Sequence, residues 1–170
     1  MNWIKALISS GLPALAAVLI MAPAALVGQS YRSVTDDRLL SPEPENWLSY
    51  RGNYSGWGYS PLDQIDVSNV QDLVPVWAFS TGVGSGHQSP PVVNEGVMFV
   101  TTPALSPRGP NFNSSAGNQL LALDARDGEL IWRYQHELRE EIVTGHNTNR
   151  GVALFGDKVE AAITRVLGVL

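Results

Sequence analysis

Cysteine is absent from the 170 residues. That one absence removes disulfide frameworks, thiol nucleophiles, cysteine-ligated zinc, iron–sulfur clusters and a lipidated N-terminal cysteine. Basic residues are scarce too: 11 Lys and Arg stand against 16 Asp and Glu, a net charge of −5. Such a chain lacks the cationic surface that sequence-independent phosphate binding needs, so no nucleic-acid partner is expected. Charged residues make up only 16% while 44% are hydrophobic, which excludes a solvated disordered tail and allows a compact core. Gly and Pro number 16 and 11, above average but short of low complexity, and point to many turns.

What is present begins with an uncharged stretch. Met1-Asn2-Trp3-Ile4-Lys5 leads into an apolar run from Ala6 to Val27 that contains the small-x-small triplet Ala22-Pro23-Ala24. One lysine ahead of a greasy run that carries a small-residue site matches a secretory signal peptide. Residues 1–24 are therefore read as a signal helix cleaved before Ala25, and the protein as exported to the periplasm. The competing reading is an uncleaved anchor in which residues 6–27 associate with the inner membrane, although Pro13 and Pro23 interrupt that helix.

The rest reads as a short helix and then strands. Thr35 is placed to cap a helix over Val34 to Leu40, with Asp36 and Asp37 at its positive end, and Ser41-Pro42-Glu43-Pro44 stops it. Ser68-Asn69-Val70-Gln71 has capping-box spacing and predicts one helical turn to Leu73. Val76-Trp77-Ala78-Phe79-Ser80 is rich in strand formers. Pro91-Val92-Val93 and Val97 to Thr101 flank Asn94-Glu95-Gly96 as a hairpin. Leu120 to Leu123 and Leu130 to Tyr134 repeat that pattern around Asp124-Ala125-Arg126-Asp127-Gly128, where Gly128 can take a positive φ. Val152 to Phe155 and Lys158-Val159 form a third pair about Gly156-Asp157. Short strands with regular turns predict an antiparallel all-β array, with Pro103 to Gly117 as a surface loop.

The most specific stretch is Ala122-Leu123-Asp124-Ala125-Arg126-Asp127-Gly128-Glu129-Leu130-Ile131-Trp132. It resembles the Ala-x-Asp-x-x-x-Gly-Glu-x-x-Trp repeat of quinoprotein β-propellers, in which Asp and Gly shape a turn and Trp is expected to stack on the neighbouring blade. Glu45 to Tyr50 and Gly58 to Ile65 are similar to the entry segment of alcohol and methanol dehydrogenases that use pyrroloquinoline quinone (PQQ). Gly86 to Val100 is similar to that family's first inner hairpin and Asn149-Arg150-Gly151-Val152-Ala153 to its second. The resemblance implies an incomplete propeller over residues 25–159, about two to three blades of an eight-bladed fold. Residues 160–170 depart from the pattern, with Ile163, Val166, Leu167 and Leu170 at helical spacing, as a frameshift near Val159 or an early gene-model end would produce.

Two positions carry the site that the resemblance implies. Gln88 stands where the methanol dehydrogenases have a cofactor-bonding Glu, and Arg150 where an Arg binds a PQQ oxygen. PQQ is a planar tricarboxylate with an ortho-quinone, which suits a guanidinium fork. Gln88 keeps hydrogen-bonding capacity without the charge. The paired cysteines that precede Asn-Arg-Gly in many relatives are replaced by Thr144-Gly145-His146-Asn147-Thr148, which leaves the substrate open. Calcium ligands and the carboxylate base are expected elsewhere in the family's chain, and no catalytic residue or metal ligand is assigned here. His136-Glu137-Leu138-Arg139-Glu140 lacks the second His of a zinc-protease helix.

The implied function is that of an N-terminal fragment of a periplasmic PQQ-dependent alcohol dehydrogenase. The fragment is inactive alone, and its complete form oxidises small alcohols and passes electrons to a c-type cytochrome. The alternatives are a non-catalytic quinoprotein-like propeller scaffold, and a short protein that pairs its open strand edges with another chain.

Overall fold

The computed structural model describes residues 31–84, 86–103, 117–137 and 148–161. The signal segment, most of the 103–117 loop, His146 and the last nine residues lie outside them. No helix among the described residues is long and apolar enough to cross a membrane.

The chain opens with α1 (Asp36–Leu40), whose N-cap is Thr35: its Oγ1 accepts from the Arg38 amide at 3.4 Å. The second helical turn is a 3-10 turn over Val70–Asp72, and the expected capping box does not form. Asp66 does that work instead, its Oδ1 accepting from the Ser68 amide at 2.7 Å, while Asn69 Oδ1 accepts from the Asp66 amide at 2.9 Å. An acidic side chain two residues upstream reaches these N–H groups sooner than Ser68 can.

Four strands then form one antiparallel sheet in chain order: β1 (Val92–Asn94), β2 (Val97–Thr101), β3 (Gln119–Asp124) and β4 (Leu130–Gln135). The β1–β2 link is a two-residue turn with φ of 50° at Glu95 and 77° at Gly96. Positive φ at both positions matches the twist of the flanking strands. The β3–β4 turn is organised by Asp124, whose carboxylate accepts from the Arg126 amide at 2.9 Å and from its guanidinium at 2.6 Å. The Arg126 hydrogen bonds hold the Asp124 carboxyl down at about 2. Pairing of β3 with β4 skips Ile131, a bulge. A second, two-stranded sheet joins β5 (Val152–Phe155) to β6 (Lys158–Ala161).

Val92, Phe99, Ala122 and Trp132 lie opposite one another across β1 to β4 and so share one face. That face meets Leu154 of β5 and Val34, Leu39 and Leu48 of the entry segment in a single core. Two isolated bridges stitch the entry segment on, Val34 to Gly156 and Trp47 to Val93. Trp132 has Phe99 of its own sheet as ring partner, 6.0 Å between centroids and tilted 48°, and stays 39% exposed. The expected stack on a neighbouring blade is thus a contact within the sheet among the described residues.

Val76 to Ser80 is extended but is not a strand, because it finds no ladder partner among the described residues. It crosses the β3–β4 turn instead. There Trp77 Nε1 donates to the Ala125 carbonyl at 3.2 Å and its ring covers Gly128.

Every residue of β4 is exposed, and among the described residues its outer edge has no partner strand. An open edge carrying Leu130, Ile131, Trp132 and Tyr134 favours association. The purified chain should therefore show a concentration-dependent increase in light scattering, and a monodisperse, cooperatively melting monomer would contradict this.

Candidate functional site

The site forms where the approaches to β1 and β5 meet. His87 and Asn149 make a parallel bridge ahead of the two strands, so Gln88 and Arg150 each follow the bridge by one residue. Side chains alternate along extended backbone. Asn149 therefore turns inward and is buried, Arg150 turns outward and is exposed, and Gln88 is exposed beside half-buried Ser89.

Gly151 permits this approach. Its φ is +105°, and a Cβ added there would meet Ser89 Oγ at 3.2 Å and the Pro90 carbonyl at 3.5 Å, so a side chain is opposed by both conformation and space. Below the surface, Asn149 Oδ1 accepts from Thr101 Oγ1 at 2.8 Å and from the Gly151 amide at 2.9 Å. His87 Nε2 lies 3.0 Å from both Thr81 Oγ1 and the Val83 carbonyl. The imidazole thereby anchors a shallow hollow lined by Phe79, Ser80, Thr81 and Gly82 next to Gln88.

Neither the Arg150 guanidinium nor the Gln88 carboxamide makes a hydrogen bond or ion pair with any described residue, and the ion pairs that do form involve Arg32, Arg38 and Arg126. An exposed guanidinium on a restrained backbone, without an ion pair among the described residues, suits a planar oxyanion that accepts two parallel N–H bonds. The bridge brings together the two segments that carry the residues inferred from sequence. Asn149, Ser89 and Thr101, which hold them, were given no role, although Gly151 in the Asn-Arg-Gly run signals a close approach.

Residues 47–168 match the family model of the PQQ glucose/ethanol/alcohol dehydrogenase β-propeller domain. The chain belongs to this family. Among its relatives is the quinoprotein alcohol dehydrogenase PedH of Pseudomonas putida, 32% identical over 152 residues that cover 86% of this chain and 23% of that protein. Subunit 1 of the cytochrome c methanol dehydrogenase of Methylobacterium organophilum is 36% identical, over 82% of this chain and 21% of the relative. Solved structures agree. The quinohemoprotein alcohol dehydrogenase ADHIIG of Pseudomonas putida superposes with a TM-score of 0.62 at 32% identity, covering 76% of this chain and 18% of its own. That of Comamonas testosteroni gives 0.61 at 28% identity, over 79% and 18%. The chain thus spans about a fifth of the length of these quinoproteins.

Arg150 and Gln88 fit PQQ on their own chemistry, one as a fork for a carboxylate or quinone oxygen, the other as a combined donor and acceptor. Among the described residues no three His, Asp or Glu side chains gather to hold a metal ion, and no step is assigned to one.

Proposed function

We propose that this chain supplies the first wall of the PQQ pocket in a periplasmic quinoprotein alcohol dehydrogenase, as the N-terminal part of that enzyme. The observation that carries the reading is the exposed Arg150, without an ion pair among the described residues, one residue past the parallel His87–Asn149 bridge that Gln88 also follows by one. PQQ, when bound, accepts the hydride that an alcohol loses from its carbinol carbon. Arg150 holds one of the cofactor's anionic oxygens and stabilises charge that builds there during reduction, while Gln88 orients the ring edge without adding negative charge. Gln88 in place of a carboxylate leaves that wall more favourable to an anionic cofactor.

The alcohol proton goes to a base outside the described residues, and electrons leave to a c-type cytochrome, an acceptor suggested by the methanol dehydrogenase relative. Calcium, where the complete enzyme carries it, is held by residues other than those assigned here.

One wall cannot bury a ligand, so the chain alone should be inactive and hold PQQ weakly, with a dissociation constant at or above about 1 mM. In a PQQ titration followed by the Gln88 side-chain amide resonances, Arg150→Ala should abolish the response seen in the parent. Binding that survives Arg150→Ala would refute the placement, and micromolar binding would show that the chain closes a pocket of its own.

A further inference from the structure

Thr101 sits at the end of β2, nearly inaccessible at 1% exposure, and touches both halves of the site. Its backbone N–H donates to Ser89 Oγ at 3.4 Å, next to Gln88, and its hydroxyl donates to Asn149 Oδ1 at 2.8 Å, next to Arg150. The second contact is the shorter, and it lies between two buried side chains, where an unmade hydrogen bond is costly. Asn149 Oδ1 also accepts from the Gly151 amide two residues on, closing an Asx turn with Arg150 at its centre.

We propose that Thr101 and Asn149 are positioning residues: the buried hydroxyl-to-carboxamide bond orients the Asx turn and thereby aims Arg150 at the same space as Gln88. The proposal rests on the PQQ reading for the identity of the ligand but not for the clamp itself. Two observations make a purely structural role insufficient. The inward residue of the turn is the one that bonds to β2, whereas the outward residue is the unpaired cation. In addition, Gly151 lies close against the Gln88 side, where an added Cβ would come within 3.2 Å of Ser89 Oγ, so a shift of the turn is felt there.

The test uses the full chain and its Thr101→Val, Thr101→Ser and Arg150→Ala variants. Valine preserves shape and the bond to Ser89 while removing the hydroxyl; serine restores the hydroxyl. Without ligand, Thr101→Val should speed amide exchange at Gly151 by about three- to tenfold, the worth of one hydrogen bond, and shift the Arg150 Nε–Hε resonance. Val93 and Met98 in the β1–β2 ladder should be unchanged. With PQQ, the same variant should bind at least about threefold more weakly, and Thr101→Ser should behave as the parent.

Unchanged Gly151 exchange in Thr101→Val overturns the clamp. Faster exchange with unchanged PQQ affinity overturns its positioning role. If parent and Arg150→Ala respond to PQQ alike, the PQQ reading falls, while Gly151 exchange and the Arg150 resonance still decide the clamp. Should Thr101→Val fail to fold, Thr101→Ala removes the same hydroxyl while leaving the Asn149–Gly151 bond in place, and is judged by the same readouts.

Discussion

Replacing Arg38 with methionine should cost about 3 kcal/mol of stability, the low end for removing one partner of a buried ion pair. Arg38 is 6% exposed, and all of its donors are engaged. Nε donates to Glu43 Oε1 at 2.9 Å and Nη2 to Glu43 Oε2 at 2.8 Å, a two-point pairing. Nη1 donates to the carbonyls of Arg32 and Ser33 at 3.1 and 3.0 Å, and Nη2 reaches Asn94 Oδ1 at 3.0 Å in the β1–β2 turn. One guanidinium thus ties α1 and its flanks to the sheet. Methionine fills the space but leaves Glu43 only Arg32 and Asn46 as donors and removes the donor of four other oxygens, the Arg32 and Ser33 carbonyls, Asn94 Oδ1 and Glu95 Oε1.

The same pair sets an acid dependence. The Arg38 hydrogen bonds hold the Glu43 carboxyl at about 2, against 4.5 ordinarily. A carboxyl depressed in the folded state contributes stability that is complete above its unfolded value and lost as pH falls through the folded one. Urea midpoints should therefore fall between about pH 4.5 and 2, and this slope should flatten in Arg38→Met. A variant as stable as the parent at pH 7, or one with an unaltered acid slope, would show that the pair is incidental.

Gly128→Ala should destabilise the chain by about 2 kcal/mol, from left-handed strain and overpacking together. Gly128 has a φ of +76°, and a Cβ there would lie 2.5 Å from Trp77 Cε3 and 2.8 Å from Cδ2. Those atoms belong to a rigid ring that cannot bend away locally, and the Trp77 Nε1 bond to the Ala125 carbonyl fixes its position. The ring must leave. Tryptophan emission should move to longer wavelength in the folded variant. Unfolding energies within about 0.5 kcal/mol of the parent, the range of ordinary surface changes, together with unchanged emission, would show that Trp77 does not rest on this turn.

These two residues mark the limit of what could be read in advance. The glycine at 128 is legible as a turn residue, since the flanking runs Leu120 to Leu123 and Leu130 to Tyr134 must reverse between them. That the position also receives the Trp77 indole, held by its bond to the Ala125 carbonyl 48 residues on, is not. The Val76 to Ser80 run shows the converse. Its composition is that of a strand, but composition supplies only side chains for a pleated surface, and strand status depends on a partner's backbone. Trp132 has the same lesson: alternation places it on the apolar face, whereas its ring partner is set by the register that brings Phe99 across.

At the site, Arg150 and Gln88 were legible through family resemblance, each in a short run with its own signature. The pairing of the two segments that carry them was not, because it depends on the bridge between His87 and Asn149 and on Thr101 beneath it. Arg38 gave no signal at all, as a lone arginine in a polar segment ordinarily stays in water.

The sequence by itself determined the hairpins, the cap at Thr35, the turns that require positive φ, and the family. Each of these follows from residues within a few positions of one another, where periodicity and backbone preference act directly. Tertiary structure alone decided that Arg38 is buried, that Trp77 covers Gly128, and that Thr101 joins the two walls around Arg150. Those arrangements arise from hydrogen bonds between segments 48 to 57 residues apart, whose partners are selected by the register and packing of the whole sheet and by no local pattern.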